Sequence, residues 1–145
     1  MKRIITALMI CSIAATGAAI AQDSPIKKRQ ALMKKNGDAA TLVTAMFKGE
    51  KPYDAAVAAN AIKGIGASMD EFITLFPEGS TSKDSDAKPE IWKNKADFEG
   101  WAGQVKEDTA KAVAAAAGGM ATLQPAFAEL GKSCRGCHEK YRAEK

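Results

Sequence analysis

Two cysteines and a histidine stand close together in one short segment, as Cys134, Cys137 and His138. Their spacing, C-x-x-C-H, is the attachment signature of a c-type haem, in which two thiols add to the two vinyl groups of the porphyrin. On a helix, residues i and i+3 share a face, so both sulfur atoms leave the same side. His138 is the only histidine of the chain and can offer an imidazole nitrogen to the iron. The motif predicts one covalent haem c, attached through both cysteines, with His138 as an axial ligand.

Three other readings of the cysteine pair are weaker. A structural zinc site needs four ligands, and beyond residue 21 the sequence has no cysteine or histidine outside this cluster. A thioredoxin-like redox pair is expected beside a βαβ pattern, and no segment of the sequence predicts a strand. A disulfide between the two cysteines stays open as an alternative, although so small a loop would stabilise little.

The first residues have the pattern of a cleaved secretory signal peptide. Lys2-Arg3 precedes an almost unbroken run of apolar or small residues over 4–20, and Ala19-Ile20-Ala21 supplies an A-x-A cleavage site. The run is short for a membrane anchor and ends in a cleavage site, so a removable signal fits better. We therefore predict a signal peptide at 1–21 and a mature domain at 22–145, with no membrane attachment after cleavage. Export suits haem attachment, which in bacteria takes place outside the cytoplasm, and predicts a periplasmic protein.

Charge and length narrow the class of partner. The formal net charge is +4, and removal of 1–21, which holds two basic residues and no acidic one, lowers it to +2. Two haem propionates would bring the loaded protein close to neutral. The sequence has no dense basic stripe with interleaved aromatic residues, so we expect no nucleic-acid partner. The mature chain is long enough for one domain with one core.

Apolar residues recur at the three- and four-residue steps of amphipathic helices throughout the mature chain. The predicted helices, with a polar loop over 78–88 between the second and the third, cover about 25–48, 53–76, 94–117 and 122 onwards. Asn94 and Thr122 are the expected N-caps of the last two helices. Gly64 and Gly66 each weaken the second helix by about 1 kcal/mol relative to alanine, which suggests close packing there.

Four helices with mostly short connections favour an all-α fold, an antiparallel up-down-up-down four-helix bundle. With its haem motif on the last helix, the chain resembles the class II c-type cytochromes, the family of cytochromes c′ and c-556, for which this bundle is the known architecture. The resemblance covers the whole mature chain and rests on 131–142, on Pro89-Glu90-Ile91-Trp92 and on Phe98. The segments 32–37 and 48–54 look more like cytochrome c-556 than cytochrome c′.

The resemblance to the c-556 branch implies a sixth iron ligand on the first helix, and Met33 occupies that position. Arg29, one turn earlier, resembles the family's arginine at the haem edge and is a candidate partner of a haem propionate. Arg142, one turn past His138, is a second propionate candidate, or else simply a solvated residue of the final turn. Methionines at helical spacing are more often core residues than ligands, and this is our interpretation of Met46, Met69 and Met120.

Coordination decides the function that the resemblance implies. With His138 and Met33 both bound, the iron is six-coordinate and low-spin with no open position, which suits a soluble one-electron carrier rather than an enzyme. The alternative is a five-coordinate protein like cytochrome c′, which binds nitric oxide or carbon monoxide. A peroxidase is disfavoured, because no second histidine is present as an acid/base. The expected partners are redox proteins, or small gases in the alternative, and we expect a monomer or a homodimer.

Overall fold

The computed structural model describes the backbone of residues 17–144 and the side chains from residue 25 onwards. Its helices are α1 (Gly17–Phe47), α2 (Ala55–Thr74), α3 (Glu90–Lys93), α4 (Lys95–Ala116) and α5 (Met120–Tyr141). Four of them are long, and α3 is a single turn. Between residues 17 and 144 there is no strand, only an isolated antiparallel bridge between Ala87 and Arg142. The all-α prediction is confirmed.

α2 begins close to its predicted start, whereas α1 begins earlier than predicted. α1 begins at Gly17 rather than near Pro25, because the alanine-rich segment before the proline continues the helix. Cleavage at the predicted site would leave Pro25 in the first turn, where its missing N–H is tolerated; residues 1–16 of the predicted signal peptide lie outside the described residues. In α2, Asp54 is the N-cap rather than a first-turn residue, and its carboxylate accepts a hydrogen bond from the backbone N–H of Val57 at 2.9 Å.

The N-cap predicted at Thr122 is wrong. α5 begins two residues earlier, at Met120, after Gly119. The φ angle of Gly119 is +91°, a conformation that glycine reaches without steric penalty, so the chain turns and the helix starts there. The Thr122 hydroxyl donates instead to the carbonyl of Gly118 at 2.9 Å. Asn94 does hold the N-cap position of α4, but its side chain makes no capping hydrogen bond.

The long helices pack as an antiparallel bundle in which α1 lies along α2, α2 along α4, and α4 along α5. The first core cluster fills the bundle and consists of Val43, Met46, Ala58, Ile62, Ile65, Met69, Ala102, Val105, Ala112, Ala116, Leu123 and Leu130. The second core cluster closes one end with Phe76, Ile91, Phe98 and Tyr141. The helices α1 and α5 make no extended backbone contact. They meet through the rings of Phe47 and Phe127, whose centroids are 5.6 Å apart.

Two of the three methionines predicted as core residues are confirmed, whereas Met120 is only half-buried and lies outside both clusters. Met46 and Met69 are 3% and 5% exposed. The close packing expected at the two glycines of α2 holds at one of them. A Cβ on Gly66 would stand 2.7 Å from Cγ2 of Thr109 on α4, whereas a Cβ on Gly64 would meet nothing within 4 Å. The close approach of α2 and α4, which we call the seam, therefore requires glycine at position 66.

Candidate haem site

The whole C-x-x-C-H segment lies within the regular part of α5. Cys134 and Cys137 therefore leave one face of that helix, and both are half-buried free thiols rather than a disulfide. Cys134 packs against the first core cluster and Cys137 against the second. The two sulfur atoms thus straddle the boundary between the two clusters.

Residues of α1 border the same two clusters. Met33 is half-buried against the first core cluster, as Cys134 is. The guanidinium of Arg29 lies 4.4 Å from the ring centroid of Phe76, a member of the second cluster against which Cys137 packs. Met33 and Arg29 on α1 therefore border the same two clusters as Cys134 and Cys137 on α5.

Arg29 is a buried cation whose hydrogen bonds are incomplete. The residue is 5% exposed, and its Nη2 donates to the backbone carbonyl of Ser80 at 2.6 Å. Its Nη1 and the hydroxyl oxygen of Ser80 are both buried without a hydrogen-bond partner. Burial lowers the pKa of Arg29, and no charged group of the described residues counters that effect. Buried polar groups are normally satisfied, so this pair has the donors that a haem propionate requires.

The pKa values of the two thiols disfavour a thioredoxin-like redox pair. Burial raises the pKa of Cys134, and burial, followed by the proximity of Cys134, raises the pKa of Cys137 to about 11. Neither thiol therefore has the lowered pKa that is typical of a reactive redox cysteine. Among the described residues, no group of three or more histidine, cysteine, aspartate and glutamate side chains could hold a metal ion.

His138 and Arg142 follow the cysteines at the surface of α5. Desolvation and, second, the positive charge of Arg142 lower the pKa of His138, which favours the neutral imidazole that ligates metals. The Nε of Arg142 stands 3.6 Å from the carboxylate of Asp86, so this arginine already has an anionic neighbour. Of the two propionate candidates, Arg29 is buried and incompletely bonded, and Arg142 is exposed and paired.

The loop over 77–88, which we call the strap, joins the two sides of the site. On α1, Arg29 bonds the carbonyl of Ser80, and Gln30 Nε2 donates to the carbonyl of Asp84 at 2.8 Å. At the end of α5, the backbone N–H of Lys88 donates to the backbone carbonyl of Tyr141 at 3.0 Å. The N–H of Ala143 donates to the carbonyl of Asp86 at 2.7 Å. The strap therefore bridges both helices that carry the predicted haem residues, a role that its polar composition alone did not indicate.

Trp101 is a further site residue that sequence reasoning did not identify. A Cβ on Gly136, between the two cysteines, would stand 2.7 Å from Cζ3 of the Trp101 indole and closer still to Cη2. The indole of α4 therefore occupies the space beside the motif. Trp101 also borders the second core cluster.

The family model of cytochrome c′ matches residues 24–142. The chain belongs to the cytochrome c′ family, the class II c-type cytochromes. A cytochrome c-556 from Agrobacterium tumefaciens (strain B2A) is 37% identical over 120 residues, which cover 83% of this chain and 98% of that protein. Cytochrome c prime from Shewanella frigidimarina aligns with a TM-score of 0.77 at 32% identity, over 85% of this chain and 97% of that one. A nitric oxide complex of a variant cytochrome c prime from Alcaligenes xylosoxidans aligns with a TM-score of 0.76 at 30% identity, over 86% and 97%.

Membership of this family confirms the predicted cofactor, one covalently bound haem c. It also confirms the four-helix bundle, the fold of the structural neighbours. No helix among the described residues combines the length and the apolar character needed to cross a bilayer.

Proposed function

We propose that this cytochrome c′ family protein is a periplasmic one-electron carrier, produced with a signal peptide at 1–21 and not an enzyme in its own right. In this proposal Cys134 and Cys137 attach the haem, and His138 and Met33 are its axial ligands. The observation that carries it is the position of Met33, half-buried against the same core cluster as Cys134 on the opposite side of the gap between α1 and α5. A thioether on α1 and the proposed attachment point on α5 thus border one apolar cluster.

When bound, the haem supplies an iron that accepts and returns a single electron. The chain contributes the rest. The neutral imidazole of His138 and the soft thioether of Met33 would ligate the iron, and the thioether would favour the ferrous state. Arg29 and Ser80 bind a propionate through the donors that otherwise lack partners. The apolar clusters on both sides exclude water from the site.

The proposed role follows from the filled coordination. With both axial positions occupied by side chains, the site has no place for a substrate, and a change of charge needs little rearrangement. Such a protein exchanges electrons with redox partner proteins through the haem edge. The relative named cytochrome c-556 supports this branch of the family.

The second candidate is a five-coordinate protein that binds nitric oxide or carbon monoxide. It is favoured by the likeness to a cytochrome c prime whose structure is a nitric oxide complex. In that case Met33 would be a packed side chain beside an open iron position, which its half-buried state also permits.

The absorption spectrum of the purified holoprotein separates the two candidates. The carrier predicts a low-spin spectrum with the methionine-to-iron charge-transfer band in the ferric state and no ready response to carbon monoxide. Met33→Ala should abolish that band and open the iron to carbon monoxide, whereas Met120→Ala, the half-buried methionine at the start of α5, should change neither. A high-spin wild-type spectrum that responds at once to carbon monoxide would overturn the carrier in favour of the gas-binding protein.

A further inference from the structure

One carboxylate is buried between α4 and α5, directly beside the haem motif. Asp108 is 5% exposed. Its carboxylate accepts hydrogen bonds from the hydroxyl of Ser133 at 2.6 Å, from Nε2 of Gln104 at 3.1 and 3.2 Å, and from Nζ of Lys111 at 3.0 Å. Ser133 immediately precedes Cys134, so a single residue separates the hydrogen-bonded carboxylate from the predicted attachment point.

The hydrogen bonds keep this carboxylate ionised. Burial by itself raises the pKa of Asp108, but the donors Ser133, Lys111 and Gln104 together bring it below its usual value. The charge also acts on the motif, since Asp108 adds to the effect of burial in raising the pKa of the Cys134 thiol. A negative charge thus stands close to the bond that would join the chain to the porphyrin.

We propose that Asp108 sets the reduction potential of the haem, lowering it by stabilising the ferric form, and that Lys111 partly offsets this effect. The inference rests on the proposed attachment through Cys134 and holds for either axial coordination. Reduction adds one electron, delivered by a redox partner, to the ferric iron, and no covalent bond forms or breaks. A fixed anion beside the haem opposes the arrival of that electron.

The charges of Asp108 and Lys111 do not cancel at the haem, because the two side chains differ in their exposure to solvent. The side chain of Asp108 is 7% exposed, while that of Lys111 is 65% exposed. A charge at the surface is screened by water and ions, whereas a buried charge acts through a medium of lower dielectric constant. The carboxylate is also the member that touches the residue next to Cys134. The net electrostatic potential that this ion pair contributes at the haem is therefore negative.

The test is a spectroelectrochemical titration of four purified holoprotein variants at pH 7. Asp108→Asn should shift the midpoint potential upward, and Lys111→Gln should shift it downward by a smaller amount. The controls are Asp70→Asn and Lys106→Gln, which break an exposed ion pair of 2.5 Å between α2 and α4. Neither control should move the potential. Opposite shifts from the two partners of one ion pair are not produced by a loss of packing.

Equal potentials in wild type, Asp108→Asn and Lys111→Gln would overturn the inference, as would shifts of the same sign. If Asp108→Asn does not fold, the exposed Lys111 still decides the matter, since Lys111→Gln must lower the potential. The absorption spectrum of each variant reports axial coordination separately. A gas-binding spectrum with the expected shifts would refute the proposed carrier and leave the role of Asp108 intact.

Discussion

The seam between α2 and α4 and the gap between α1 and α5 show two different ways of filling a helical bundle. In the seam, Ile62 is fully buried and the space beside Gly66 is taken by Thr109. In the gap, the helices lack extended contact, and Arg29 and Ser80 keep buried polar atoms without partners. The seam has one such atom as well, the hydroxyl of Thr109, but that group is neutral and stands alone.

The difference shows which part of the fold is filled by the protein's own side chains and which part is not. Buried polar groups are rarely left unsatisfied, and a buried guanidinium without an anion is among the least favourable arrangements. The seam stabilises the bundle with its own side chains. A ligand that is apolar across its plane and anionic at its edge, as haem is, would complete the gap and give Arg29 an anionic partner.

The largest expected effect is the loss of covalently bound haem. Replacing Cys134 and Cys137 together by serine should abolish covalent haem completely, because no thiol remains to form a thioether. The measurement is haem staining after denaturing electrophoresis. Lys132→Ala, an exposed change on the same helix, should retain the stain. Haem that stays attached to the double variant would place the attachment elsewhere.

The second prediction tests the seam with a matched pair of glycines. Gly66→Ala should lower the free energy of unfolding by about 1–3 kcal/mol, because its Cβ would overlap the β-branched side chain of Thr109. Gly64→Ala, two residues away in open space, should raise it by up to about 1 kcal/mol through helix propensity. Guanidinium denaturation of the two holoproteins measures both. Equal effects at the two positions would show that the seam is looser than its geometry indicates.

The third prediction tests the gap. Arg29→Met should lower the free energy of unfolding of the holoprotein by about 1–2 kcal/mol, since a propionate would lose its charge-assisted partner. Loss of the cation should also raise the pKa of that propionate, so the pH-dependent step of the midpoint potential should move to higher pH. Lys28→Met, at the exposed neighbouring position, should leave both quantities unchanged. If the pH-dependent step of the midpoint potential does not move in Arg29→Met, Arg29 is not the partner of the propionate.

The smallest effect concerns the boundary between α4 and α5, where the buried carboxylate of Asp108 has hydrogen-bond partners that the polar groups of the gap lack. The pKa of Asp108 in the folded protein lies below the ordinary value of 3.8 for an aspartate, because Ser133, Lys111 and Gln104 donate hydrogen bonds to its carboxylate. Its ionised form therefore stabilises the fold above about pH 4, and that contribution is lost as the pH falls through and below 3.8. Asp108→Asn should remove this part of the acid dependence, measured by denaturation between pH 7 and pH 3. Asp70→Asn serves as the exposed control, and identical profiles for the wild type and Asp108→Asn would contradict the prediction.

Local patterns predicted the architecture well, because helix period and C-x-x-C-H are properties of neighbouring residues. The wrong N-cap at Thr122 shows the limit of the same approach, since a glycine three residues earlier determines where α5 starts. The contacts between side chains of the site could not be predicted from the sequence for another reason. The bond from Arg29 to Ser80 joins residues 51 apart in sequence, and the contact of Trp101 with Gly136 joins two different helices. Such pairs follow from the packed fold and leave no local trace.

The contact between Trp101 and Gly136 has a consequence for engineering the haem motif. The two spacer positions of C-x-x-C have different surroundings in this protein. Here Arg135 is exposed and can accept most side chains, whereas any residue larger than glycine at 136 displaces an indole. Diversity at this motif should therefore be introduced at 135 alone, or at 136 and 101 together as a coupled pair.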